Sequence, residues 1–211
     1  PADDARKCSF LQLAVTAERL NLWWSGRGFL RSGTLRGTPL VTRQETGVEG
    51  PAGTAEVLRA ERLSRRFGSV LALDQVSLEV KSAECVALIG ESGSGKTTLL
   101  RCFNRLVDPD QGRVLIDGVE AATLDAIALR RRIGYVPQDG GLLPHWKVGR
   151  NVALVPRLRG MDDPPGLADR ALALVGLEPA LFSERWPRKL SGGQRQRVAV
   201  ARALAASPEV V

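Results

Sequence analysis

Gly90-Glu91-Ser92-Gly93-Ser94-Gly95-Lys96-Thr97-Thr98 is the stretch on which the reading of this chain turns. It fits G-x-x-x-x-G-K-[ST] without a mismatch. A polyphosphate needs many hydrogen-bond donors at short range. Backbone N–H groups can turn inward around it only where side chains are small, which is the use of Gly90, Gly93 and Gly95. Glu91, Ser92, Ser94 and Thr98 would complete the cradle. Lys96 would set its charge on the β- and γ-phosphates, and the Thr97 hydroxyl would be a ligand of Mg²⁺. The flanks suit the motif. Glu84-Cys85-Val86-Ala87-Leu88-Ile89 is a short apolar run with a β-branched residue at each of two positions, as expected of a buried parallel strand. Thr98 to Leu106 reads as a helix with Leu99, Leu100, Phe103 and Leu106 on one face. The phosphates would then sit at its N-terminus, where free N–H groups and the macrodipole favour anions. Strand, loop and helix in this order leave little room for a chance Gly/Ser loop.

At 211 residues, 44% hydrophobic and 25% charged, the chain can hold one domain with a real core plus extra segments. Three cysteines, Cys8, Cys85 and Cys102, with no C-x-x-C, argue against a disulfide framework or a zinc site and suit a reducing compartment. The net charge of +7 fits either a nucleic-acid partner or a generally solvated basic surface. The charges are scattered and aromatics make up only 5%, so no stacking platform for bases is visible and the second reading is preferred. No stretch approaches the roughly 20 apolar residues of a membrane span. Met161 is the single methionine and Pro1 comes first, so the chain is expected either not to be a complete translation product or to have a processed or misplaced start.

Residues 1–54 differ from the rest. Phe10 to Trp24 could form a short amphipathic helix, and Ser25 to Thr54 is Gly-, Arg-, Ser- and Thr-rich without periodicity, the composition of a disordered linker. The region reads as a disordered or non-native leader, with a membrane-surface anchor through Trp23 and Trp24 as the alternative. The ordered domain is expected over 55–211. Val57 to Leu63 suggests an edge strand. Val76, Leu78 and Val80 alternate with polar residues, the pattern of a half-buried antiparallel strand. Gly112 to Ile116 is a strand closed by an Asp117-Gly118 turn. Leu124 to Arg132 suggests a helix and Ile133 to Val136 a buried strand. A helical region follows over about 140–190: Val148 to Leu158, interrupted by Pro156 and stopped at Gly160, then Leu167 to Leu174 and Glu178 to Phe182. A last helix runs from Gly192 to Ala206, and Glu209-Val210-Val211 opens a new strand.

Leu190-Ser191-Gly192-Gly193-Gln194 precedes that last helix. Ser191 is a good N-cap, and two glycines again permit close backbone approach at a helix N-terminus. Arg195 and Arg197 follow at once. Cations there oppose the helix dipole, but they make sense beside a phosphate.

The two motifs together resemble the nucleotide-binding subunit of ATP-binding cassette (ABC) transporters, over about Ala55 to Val211. The resemblance implies an α/β fold of the P-loop NTPase type: a mostly parallel core sheet, an antiparallel β subdomain and a helical subdomain. It makes Leu190 to Gln194 the signature sequence. Two cassettes would pair head to tail, with Ser191 and Gly193 of one touching the γ-phosphate of the ATP held by the other. Phe67 matches the aromatic that stacks on adenine, or else is an ordinary core phenylalanine. Gln138 matches the glutamine that contacts Mg²⁺ and the attacking water, or else is a solvated loop residue. His145, the only histidine, is read as a packing or coupling residue.

A finer likeness is to importers of osmoprotectants such as glycine betaine and choline. It rests on Phe103 to Leu106, Leu129 to Val136, Leu143 to His145 and Asn151 to Pro156. It implies ATP and Mg²⁺ as cofactors. The implied partners are a second ATPase subunit, membrane permease subunits and a substrate-binding protein, without nucleic acid. The implied location is the cytoplasmic face of the membrane. A soluble cassette acting on nucleic acid or ribosomes is the alternative. In the family, the strand after this helix ends in Asp-Glu, and a histidine comes later. Those three groups are expected beyond Val211, since Glu209 precedes the apolar run. Residues 1–211 alone are therefore expected to bind Mg-ATP poorly, to aggregate and not to hydrolyse ATP.

Overall fold

The computed structural model describes residues 11–14, 40–44, 56–82 and 84–211, which fall into two units meeting in sequence at residues 130 and 131. In the first unit the strands are β1 (Leu11–Ala14), β2 (Leu40–Gln44), β3 (Glu56–Phe67), β4 (Val70–Lys81), β5 (Cys85–Ile89), β6 (Gln111–Ile116) and β7 (Val119–Glu120). Helix α1 (Lys96–Phe103) follows β5.

β4, β3, β6 and β7 form an antiparallel sheet in that order. Leu58, Ala60, Leu63, Leu73, Val80, Val114 and Ile116 are its buried side chains. β3 is thus central, not the edge strand expected. Its charged residues are accommodated by pairing across the ladder: Arg113 Nε donates to Glu61 Oε2 at 2.7 Å. Register shifts along β3 leave Arg62 and Gln75 at φ 47°, in the left-handed region. Each bulged amide is caught by a serine on the opposite strand, Arg62 N by Ser77 Oγ and Gln75 N by Ser64 Oγ. Asp117 and Gly118, both at positive φ, close the β6–β7 hairpin as a two-residue turn.

β5 was expected to be a buried parallel strand. Both its neighbours, β1 and β2, are antiparallel. A short strand has backbone groups to satisfy on both edges, and the segments that reach it run the opposite way. The helix expected over Phe10–Trp24 is a strand at Leu11–Ala14, and the rest of that stretch lies outside the described residues.

Helix α2 (Ala126–Arg132) leads from the first unit into the second, its first turn capped by Asp125, whose Oδ1 accepts from Ala128 N at 2.7 Å. The strand expected at Ile133–Val136 is a single parallel bridge, Ile133 to Val210. Gly134 N donates to Val210 O at 2.7 Å, and Glu209 N to Arg132 O at 3.0 Å. Helices α3 (Val148–Val152), α4 (Leu154–Leu158), α5 (Pro164–Leu174), α6 (Pro179–Phe182) and α7 (Gly192–Leu204) follow. The single helix expected over Val148–Leu158 is two, divided at Ala153. A proline ring clashes with the carbonyl four residues earlier, and for Pro156 that is Val152, where α3 ends. The core of this unit is built from Val148, Val152, Ala168, Ala171, Leu172, Leu177, Val198 and Ala201.

Asn151 is fully buried within that core. Its Oδ1 accepts from Leu143 N at 2.7 Å, and its Nδ2 donates to Leu143 O and Trp146 O, both at 3.0 Å. One amide thus shapes the loop before α3. Asn151→Ala leaves a backbone N–H without its acceptor and should lower the unfolding free energy by roughly 1–3 kcal/mol in urea denaturation. An unchanged midpoint would show that Leu143 finds another partner.

Candidate functional site

The loop after β5 closes on its own lysine. Lys96 is 7% exposed, and its Nζ donates to Glu91 O at 2.7 Å, Gly90 O at 2.9 Å and Ser94 Oγ at 3.1 Å. Three donors thus meet three neutral oxygens. The loop bends around that ammonium because Gly93 and Gly95 take φ of 85° and 87°. Gly95 is doubly constrained, since a Cβ there would stand 2.2 Å from Ala72 O. Gly95 is also the N-cap of α1, and no side chain caps that end. The first turn of α1 carries no acidic residue, so its free N–H groups and the Lys96 charge point to an anion. Glu91, Ser92, Gly93 and Thr97 are exposed, while Ser94 and Thr98 are half-buried. Burial of Leu99, Cys102 and Phe103 anchors α1 from beneath. The helix ends at Phe103, not at Leu106 as expected: Arg105 turns to φ 53° and Leu106 is 49% exposed. Burial pushes the Cys102 thiol up to about 11, which keeps it protonated and inert.

Phe67 lies at the end of β3, opposite Val70, and is 46% exposed. It is therefore not a core phenylalanine. The Arg65 guanidinium stands 4.9 Å from its ring centroid. Arg65 is in turn held by Asp110, whose other carboxylate oxygen accepts from Arg66 N at 2.8 Å. The Arg66 N–H, helped by the Arg65 charge, holds the Asp110 carboxyl below its ordinary range. Sequence reasoning missed Asp110. It lies more than forty positions from the aromatic it steadies, and no local pattern marks it.

The remaining motif residues belong to the second unit. Gln138 is exposed in a turn closed by Gly140 N donating to Pro137 O at 2.9 Å. Ser191 caps α7: its Oγ accepts from Gln194 N at 3.2 Å, and Ser191 N donates to Gln194 Oε1 at 2.9 Å. This reciprocal capping box gives Gln194 a part that the sequence reading had not assigned. A Cβ on Gly192 or Gly193 would meet nothing within 4 Å. Internal packing therefore does not demand these glycines, and the helix end they bare is open to a group from outside.

Arg195 and Arg197, expected beside a phosphate, are engaged elsewhere. Arg195 Nη1 donates to Leu190 O at 2.9 Å, and Arg197 Nη1 to Gly176 O at 3.2 Å, just past α5. Their partners are backbone carbonyls, which explains cations at the start of a helix without any ligand. Glu209 pairs with Arg132. His145 is exposed, with its ring edge-on to Trp146.

The family model described as ABC transporter matches residues 73–211. The glycine betaine uptake system ATP-binding protein YehX of Escherichia coli is 44% identical over 74% of this chain and 51% of its own length. The osmoprotectant import ATP-binding protein OsmV of Salmonella typhimurium is 41% identical over 74% of this chain and 42% of its own. A methionine import ATP-binding protein of Mesorhizobium japonicum is 45% identical over 76% of this chain and 45% of its own. The chain thus spans about half the length of these relatives. A dimeric ATP-binding cassette, solved in a post-hydrolysis state with ADP and Pi, superposes with a TM-score of 0.61 at 33% identity, covering 72% of this chain and 70% of that one.

The two kinds of glycine should separate in stability measurements. Gly95→Ala forces a Cβ onto a carbonyl at positive φ and should cost more than about 2 kcal/mol. Gly193→Ala relieves a helix-destabilising residue in open space and should be neutral or stabilising, by up to about 1 kcal/mol. Equal losses from both in thermal unfolding would remove the distinction.

Proposed function

This chain belongs to the ABC transporter family, and we propose that it is the ATP-binding part of an importer that couples ATP hydrolysis to uptake of an osmoprotectant such as glycine betaine or choline. The observation that carries the reading is the buried Lys96 ammonium, gathered by three neutral oxygens beneath a glycine-bent loop at an uncapped helix N-terminus. A polyphosphate is the ligand that such a concentration of N–H groups and uncompensated charge fits. In the proposed mechanism Gly90 to Thr98 wrap the phosphates, and Lys96 exchanges part of its loop contacts for phosphate oxygens. Phe67 offers an exposed ring to adenine. Thr97 and Gln138 would hold Mg²⁺, which neutralises charge on the phosphates when bound. Gln138 would also orient water for in-line attack on the γ-phosphate. Ser191 and Gly193 of a second copy would contact that γ-phosphate, which gives the open end of α7 a use. The dimeric state of the cassette solved with ADP and Pi supports this arrangement.

No helix among the described residues is long and apolar enough to cross a membrane. Under this reading the solute crosses through separate permease subunits, served by a substrate-binding protein, and the chain sits on them at the cytoplasmic face. The choice of solute rests on the glycine betaine and osmoprotectant relatives. A methionine importer's ATP-binding protein matches as well and supplies a second reading of the solute alone.

Charge-assisted contacts of the kind assigned to Lys96 are worth about 1.5–3 kcal/mol. Lys96→Ala should therefore weaken ATP binding about tenfold or more in equilibrium titration. Equal affinity in mutant and parent would remove the phosphate-loop assignment. For the solute, deletion of the gene in a strain without a redundant importer should abolish uptake of labelled glycine betaine or choline at high osmolarity. Loss of methionine uptake instead would select the second reading.

A further inference from the structure

Arg202 lies in the last turn of α7 and uses both arms of its guanidinium on one short turn. Nη1 donates to Gly141 O at 2.7 Å and Nη2 to Gly140 O at 2.9 Å. The turn is the one that carries Gln138. It is shaped to receive the clamp, for Gly140 and Gly141 take φ of 79° and 54°, and Gly141 N donates to Asp139 Oδ1 at 3.1 Å. It also lies flat along the helix. A Cβ on Gly140 would stand 3.6 Å from Ala199 Cβ and 3.7 Å from Arg195 O. The contact therefore extends from Arg195 to Arg202, about two turns of α7. The guanidinium is half-buried, and burial pushes its pKa down while Asp139 acts the other way. A partly desolvated charge spent on two carbonyls is a costly way to pack a turn and a specific way to orient one.

We propose that Arg202 is a positioning residue that makes the Gln138 turn and α7 a single rigid piece, so that the placement of Gln138 is tied to that of Ser191–Gln194 at the other end of the same helix. The proposal rests on the roles given above to Gln138 and Ser191. It adds that the two do not act independently: a shift of the turn is handed to the N-terminus of α7 through the clamp, and the reverse. Arg202 itself touches neither nucleotide nor metal in this scheme.

The test uses the full-length protein with Arg202→Met, which keeps the apolar stem, Arg202→Lys, Gln138→Ala and the Arg202→Met/Gln138→Ala double variant. Arg202→Met should lower kcat for ATP hydrolysis about tenfold, with KM for ATP changed by less than about twofold. The double variant should fall no further than Gln138→Ala alone, because one residue acts through the other. Lysine, a single point donor, should restore only part of the loss. Amide hydrogen exchange at Gly140 and Gly141, followed without nucleotide, should speed up about tenfold in Arg202→Met. Multiplicative losses in the double variant, or a kcat within about twofold of the parent, would overturn the proposal. So would unchanged exchange at the two glycines. A parent protein that does not hydrolyse ATP would strike the proposed function, and the exchange result would then decide on the clamp alone.

Discussion

The Lys96 ammonium lies beneath its own loop with oxygens of Glu91, Gly90 and Ser94 within 2.7–3.1 Å, none of them a carboxylate. A cation removed from water without a counter-charge is unfavourable unless its donors are met, and here the backbone meets them. That requirement organises what surrounds it. The loop can offer its carbonyls only by bending through positive φ at Gly93 and Gly95. Gly95 must in turn be a glycine because the carbonyl of Ala72 in β4 occupies the space of a side chain. β5 delivers the loop, and the buried face of α1 holds its far end. Charge, bend and strand packing are thus one constraint.

The second unit solves a different problem. The C-terminal half of α7 buries its three alanines, Ala199, Ala201 and Ala203. Small side chains permit close packing but supply few contacts that fix register. The arginines of the same helix supply what the alanines lack. Arg195, Arg197 and Arg202 each reach a backbone carbonyl outside the turn in which they start, and Arg159 adds a bond to Ala206 O at 2.8 Å. Planar donors aimed at carbonyls specify orientation as apolar contacts do not. Part of the basic character of the chain is in this region structural.

What was legible in the sequence was whatever depended on neighbours in the chain. The phosphate loop, the Ser191 cap and the Asp117–Gly118 turn are local rules, and all three are present. The break between α3 and α4 was legible only in half. Pro156 announced a disturbance, but its ring acts four residues back, so the division fell at Ala153. Partners distant in sequence were not legible. Nothing near Phe67 names Asp110, nothing near Gly140 names Arg202, and nothing marks Asn151 as the residue that shapes the loop before it. The orientation of the strands beside β5 failed for the same reason, since pairing is decided by which segments reach an edge.

The cap of α7 narrows the choice of residue at one position in a way that stability alone would not. Serine, aspartate and asparagine hold a helix start about equally well, and threonine somewhat less. A hydroxyl, however, accepts the Gln194 N–H and still has a proton of its own to give. An aspartate would cap as firmly and repel the phosphate proposed to lie opposite, and an alanine would leave the amide unpaired. Variation among descendants of this chain should therefore be confined here to uncharged side chains that both accept and donate, serine, threonine or asparagine, while the two glycines that follow vary only toward residues small enough to leave the helix end bare.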